Sequence, residues 1–89
     1  MSYRINRTDG ELLIDLTDGI IDTTTTDLTL IGKHYKGCGE PFNENFVKLL
    51  ENFASTSQPA NPMVGQIWFD KQDTRLKVYD GVTFRAASG

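Results

Sequence analysis

One cysteine and one histidine are all that this 89-residue chain holds of the two side chains most used in metal sites and nucleophilic dyads. Cys38 has no possible intramolecular disulfide partner, and a cysteine-based metal knuckle is excluded with it. Positive charge is also short. Nine Lys and Arg face twelve Asp and Glu, a formal net charge of -3, which leaves no clustered basic footprint for nucleic acid. No run approaches the roughly 20 apolar residues that span a bilayer, so no membrane association is expected. The N-terminus has no basic region followed by an apolar run, so no secretory signal is expected either. These absences describe a soluble chain made in a reducing compartment.

The charge that is present is unevenly spread. Residues 1–31 carry six acids against two bases, while residues 32–89 are close to balanced. An acidic first third is read as a solvated surface before it is read as a dock for a basic partner. Thr8-Asp9-Gly10 and Thr17-Asp18-Gly19 recur nine residues apart, each followed by an apolar-rich stretch. Asp-Gly between such stretches signals a hairpin, because glycine takes positive φ without a Cβ clash. The tract Asp22-Thr23-Thr24-Thr25-Thr26-Asp27 is predicted to be extended or looped, since its hydroxyls compete locally for backbone bonds. It feeds a short strand at Leu28-Thr29-Leu30-Ile31. Residues 1–27 are thus expected to form an acidic, β-rich, turn-punctuated segment that can serve as an arm, and residues 28–89 a strand-loop-helix-meander module, in one domain overall.

The helix signal is the clearest on the chain. Pro41 suits a first turn, where its missing N–H is no loss, and Glu40 and Glu44 put negative charge near the positive end of the dipole. Phe42, Phe46, Leu49, Leu50 and Phe53 fall on one stripe, predicting an amphipathic helix over residues 40–54. Such a stripe is read as core first and as a groove ligand second. Beyond it, Pro59 and Pro62 stiffen the approach to three strands. A three-residue loop, Tyr79-Asp80-Gly81, would pair Val78 with Val82 and Leu76 with Phe84 and collect these four on one face. Ile67 and Phe69 alternate with Trp68, which places Trp68 on the opposite face. Trp68, Tyr79, Tyr35 and Phe69 are therefore the interface candidates, aromatics being the side chains that dominate interface energetics.

Nothing in the chain assembles a catalytic site. His34 and Cys38 lie four residues apart in the Gly32–Gly39 loop, with no orienting third group. The carboxylates do not form a calcium-binding loop. Lys33 and Lys36 lie in a glycine-framed stretch that lacks the Gly-Lys-Ser/Thr ending of a phosphate loop. No catalytic residue, cofactor or metal ligand is assigned, and the chain is read as non-enzymatic.

One resemblance stands out. It is carried by Leu28-Thr29-Leu30-Ile31-Gly32, Tyr35-Lys36-Gly37-Cys38-Gly39, Asn43-Glu44-Asn45-Phe46, Leu49-Leu50-Glu51-Asn52-Phe53, Asn61-Pro62, Gly65-Gln66-Ile67-Trp68-Phe69-Asp70 and Leu76-Lys77-Val78-Tyr79-Asp80-Gly81. This series resembles modules in virion structural and tail-fibre-like proteins of large tailed bacteriophages, marine cyanophages among them. Cys38 departs from it, standing where an aromatic residue is expected. The resemblance implies a structural module of a tail fibre, baseplate or other virion protein, located in the virion and assembled in the host cytoplasm. Its expected partners are copies of itself, preferably as a trimer, and other virion proteins. The rival function is a carbohydrate- or host-receptor-binding module that uses exposed aromatics as stacking platforms. In either case the expected fold is α+β: a small domain of short, mostly antiparallel strands with one amphipathic helix and a C-terminal β-hairpin.

Overall fold

The first Asp-Gly turn does what its sequence asks. In the computed structural model, which describes residues 1–87, β1 (Ser2–Asn6) and β2 (Leu12–Thr17) form an antiparallel hairpin around it. Gly10 sits at φ +92°, and the Asp9 carboxylate accepts the Glu11 N–H at 2.9 Å. Tyr3 opposite Leu16 and Ile5 opposite Ile14 make an apolar face, whereas Ser2 opposite Thr17 and Arg4 opposite Asp15 make a polar one. Leu16 on the apolar face is fully buried.

The second Asp-Gly turn behaves differently. It leads from β2 into β3 (Ile21–Asp22), and these two strands belong to separate sheets. β3 pairs instead with β4 (Leu30–Ile31), placing Ile21 opposite Ile31. The strand expected from Leu28 is therefore only two residues long. The intervening threonines bond to themselves. Asp22 accepts the N–H groups of Thr24 and Thr25 at 3.1 and 2.8 Å and the Thr25 hydroxyl at 3.0 Å. Buried Thr26 donates its hydroxyl to the Leu28 carbonyl and accepts the Leu28 N–H. Gly32 closes this region at close quarters: a Cβ there would fall on the carbonyl oxygens of Thr17 and Ile20.

α1 spans Gly39–Leu50, four residues short of the expected end at Ala54. The reason lies in its last turn. The Phe53 N–H reaches back to the Lys48 carbonyl at 2.9 Å and the Asn52 N–H to the Leu49 carbonyl at 3.1 Å. This is the Schellman pattern, with Asn52 as the left-handed residue at φ 52°. Phe53 follows at φ 56°, so it continues the sequence stripe without continuing the helix.

The chain divides into two compact units, one running from Met1 to Asn45 and the other beginning at Phe46. The second holds an antiparallel sheet in the order β5 (Ile67–Asp70), β6 (Arg75–Tyr79), β7 (Phe84–Ala86). A turn precedes β5, with Gly65 at φ +89° in its third position and the Gln66 N–H bonded to the Met63 carbonyl at 2.9 Å. Gly65 and Gln66 together face Tyr79, a β-bulge with glycine in its first position. The free side of β5 is not left open. Ser55 bridges to it in parallel, donating to the Phe69 carbonyl and accepting the Lys71 N–H, while Asn52 accepts the Phe69 N–H.

The register of the last hairpin differs from the expected one. Tyr79 pairs with Phe84 and Val78 with Arg85, so the loop is the four residues Asp80 to Thr83 rather than three. Asp80 explains the extra residue. Its carboxylate accepts the N–H groups of Val82 and Thr83, each at 2.8 Å, and is paired with Arg85. Those bonds take Val82 out of the ladder. One residue of shift turns Phe84 to the other side of the sheet, onto the face of Trp68. The fold remains the expected small α+β arrangement.

Candidate interaction surface

Of the aromatics singled out from sequence, Trp68 is 5% exposed. The edge-to-face contact with Phe84, at 5.1 Å between centroids and 65° between planes, covers it from β7, and the Lys77 ammonium lies 5.4 Å from its ring centroid. Trp68 is thus a core residue of the second unit, not an exposed platform. Its indole Nε1 is buried and has no hydrogen-bond partner. Tyr79 is half-buried against Phe84 at 5.1 Å and donates its hydroxyl to the Gly81 carbonyl. Phe69 is half-buried on the opposite face, which it shares with Ile67, Leu76 and Val78. Tyr35 is half-buried in the Gly32–Gly39 loop of the first unit, its N–H bonded to the Gly32 carbonyl. The structure brings Trp68 and Tyr79 together through Phe84.

Beside Trp68 lies the best-built polar cluster of the chain. Asp70 is buried, and its carboxylate accepts from Lys77 Nζ at 2.8 Å and from the N–H groups of Gln72 and Asp73. Lys77 also reaches Asp73 at 3.0 Å. The Lys77 contact, helped by the two N–H groups and opposed by desolvation, holds the Asp70 carboxyl below the ordinary range. Lys77 is raised in return, by Asp70 first and Asp73 second. All the bonds of this cluster point back into its own hairpin, so it acts as a fastener rather than as a reactive centre. Asp80 repeats the device one hairpin later. Its carboxyl is held down by the Thr83 N–H, then by Arg85 and the Val82 N–H. His34 and Cys38, the pair tested for nucleophilic chemistry, are both exposed.

The element with the most exposed apolar surface is the helix. No residue of α1 is buried. Phe42, Phe46, Val47 and Leu49 are about half exposed, and Leu50 is 83% exposed. The stripe expected to be core is therefore an open apolar strip, with the charged residues Glu40, Glu44 and Lys48 on the other side of the helix by their spacing. In the second unit two further apolar side chains stand out, Val64 at 75% and Val82 at 87% exposure. Both sit on turns. Val64 lies near Gly81, where an added Cβ would sit 3.4 Å from Val64 Cγ2. This pair was not found from sequence. The available signal was a valine beside a glycine in each of two turns, positions where polar residues are usual. No helix among the described residues is long and apolar enough to cross a membrane.

Comparison with protein-family models, with curated proteins and with solved structures finds no match.

Proposed function

We propose that the chain is a non-enzymatic structural module of a phage particle, part of a tail fibre, baseplate or other virion protein, which acts through self-association and attachment to other virion proteins. The observation that carries the self-association is the open helix strip. Among the described residues only Leu16 and Trp68 are buried apolar side chains, while five apolar residues of one helix are about half exposed or more. A chain of this size with so small a core gains most from apolar surface covered by another subunit. Burial of such surface is worth roughly 25 cal/mol per Å². The virion setting rests on the sequence pattern from Leu28 to Gly81, with its Gly65-Gln-Ile-Trp-Phe-Asp70 and Leu76-Lys-Val-Tyr-Asp-Gly81 segments. A homotrimer is the preferred assembly, with Tyr79, Tyr35 and Phe69 contributing through the parts of their rings that stay exposed.

The rival reading, a carbohydrate-binding module, needs aromatic faces open to a sugar, and Trp68 does not offer one. The deciding experiment is the solution mass by light scattering over a dilution series. A concentration-independent oligomer supports the structural reading. A monomer at every dilution sinks it and transfers the apolar strip to a different kind of partner.

A further inference from the structure

Asp-Gly occurs three times in the chain, at Asp9-Gly10, Asp18-Gly19 and Asp80-Gly81. Such a pair can close on itself. The glycine nitrogen attacks the carboxyl carbon of the Asp side chain, and a succinimide ring forms with loss of one water. Water then opens the ring. Opening at the side-chain carbonyl restores Asp, whereas opening at the backbone carbonyl leaves isoaspartate, with the main chain running through the former side chain. Closure needs a free glycine N–H held close to the carboxyl carbon. It also needs a protonated carboxyl, because an ionised carboxylate repels the nucleophile and parts poorly with its oxygen.

The structure guards the three pairs differently. Gly10 N–H is donated to the Arg7 carbonyl at 3.0 Å and Gly19 N–H to the Lys33 carbonyl at 2.7 Å, so at both the nucleophile is occupied. Asp80-Gly81 lacks that guard: no acceptor among the described residues takes the Gly81 N–H. Asp80 Oδ1 accepts the N–H groups of Val82 and Thr83, each at 2.8 Å. These bonds fold the carboxyl back over the Gly81 peptide and hold the two reacting atoms within one small ring. All four loop residues are exposed, so water has access for the opening step. What opposes closure is the charge of the carboxylate, whose other oxygen, Oδ2, is paired with Arg85 Nε.

We propose that Asp80-Gly81 is a latent isoaspartate site, kept unreacted by Arg85. The geometry for closure is in place, and the Arg85 guanidinium keeps the carboxyl in its ionised, unreactive form. The inference does not depend on the self-association proposed above. Its consequence reaches the core of the second unit. Isoaspartate adds one methylene to the backbone of the loop and moves the carboxylate away from the position in which it binds Val82 and Thr83. Those bonds set the register that lays Phe84 against Trp68. Modification at Asp80 therefore uncovers the single tryptophan of the chain.

The test ages the full parent chain and R85Q side by side, warmed at neutral pH, and counts isoaspartate at each Asp-Gly pair by peptide mapping. Far-UV circular dichroism checks the fold before ageing. R85Q is expected to form isoaspartate at Asp80 about two- to fivefold faster than the parent, the range by which an exposed ion pair weights an equilibrium. The rates at Asp9 and Asp18 are expected to stay as they are, and tryptophan fluorescence to shift to the red in step with modification of Asp80. D80E/R85Q, whose longer side chain would have to close a larger ring, is expected to lose both the modification there and the fluorescence shift. The inference is overturned if Asp80 isomerises no faster in R85Q than in the parent. It is equally overturned if all three pairs speed up together, which marks a general loosening of the fold. If R85Q loses its fold, the parent aged in high salt, which screens exposed pairs, is judged by the same criteria.

Discussion

Asn45 is a side chain doing the work of a strand. Its Oδ1 accepts the Thr29 N–H at 2.8 Å and its Nδ2 donates to the Thr29 carbonyl at 2.7 Å, so one amide satisfies both backbone groups of one residue. Replacing Asn45 by alanine removes two part-buried hydrogen bonds. At a net of roughly 0.5–1.5 kcal/mol each, the loss comes to about 1–3 kcal/mol. Asn45→Asp is the more informative variant. A carboxylate still accepts the Thr29 N–H, but its second oxygen faces the Thr29 carbonyl with no proton between them. At pH 7 the Asp variant is therefore expected to be at least as unstable as the Ala variant. The ionised form is disfavoured in the folded chain, so the folded pKa of this new carboxyl lies above its unfolded value. The penalty is complete above that folded pKa and is relieved as pH falls through it, because the protonated acid donates as the amide did. Urea denaturation at pH 7 and pH 4.5 measures both points. A chain of this length loses about 4–8 °C of Tm per kcal/mol, so a thermal melt should register the same change. If N45D lies within about 0.5 kcal/mol of the parent at pH 7, a range typical of unengaged surface positions, the amide does not hold Thr29 and the reasoning is wrong.

Four other outcomes follow from the same structure. Leu16→Ala empties the one fully buried aliphatic position among the described residues and should cost about 2–5 kcal/mol of unfolding free energy; a cost below about 1 kcal/mol would mean that the first unit has no core there. Gly32→Ala sets a methyl against the carbonyls of Thr17 and Ile20 and should destabilise by about 1–3 kcal/mol or more, whereas Gly39→Ala, with open space at its Cβ, should not. Thr74 is a β-branched residue at φ 52°, so Thr74→Asn should stabilise by roughly 0.5–1 kcal/mol, and a loss in the same denaturation assay would refute strain at that position. Asp22, Asp70 and Asp80 are all held below the ordinary value of 3.8, so each favours the folded chain while ionised. That support is complete above the unfolded value and is lost as pH falls through the lower folded ones, while the raised Lys77 loses its own only when pH rises beyond 10.5 and the raised Arg85 only at still higher pH. The urea midpoint should thus fall on the acid side below about pH 4, and Asp80→Asn should flatten that limb.

The sequence was most legible where a local rule had no competitor. Asp9-Gly10 gave the first hairpin, and Pro41 with the apolar spacing located the start of α1. It misled where a short polar side chain outbid the regular pattern. Asn52 ended the helix in a left-handed cap although Phe53 continued the stripe. Asp80 drew Val82 and Thr83 into its own turn, and the resulting one-residue shift carried Phe84 across the sheet and buried Trp68. Apolar spacing says which side chains share a face, but not whether a neighbour covers that face. That is why the stripe of α1 was expected to be core and is instead open.

The pairing of Asn52 and Ser55 with β5 has a mechanical meaning. The helix cap is not followed by a slack tether: within three residues the chain is bonded to Phe69 and Lys71 at three backbone points along one strand. Because Ser55 runs parallel to β5, a lengthwise pull on that segment loads these bonds together in shear instead of peeling them one after another. Tension entering through the end of the helix is handed directly to β5, whose other edge is held by β6. The join between helix and sheet is thus built as a lap joint rather than a hinge.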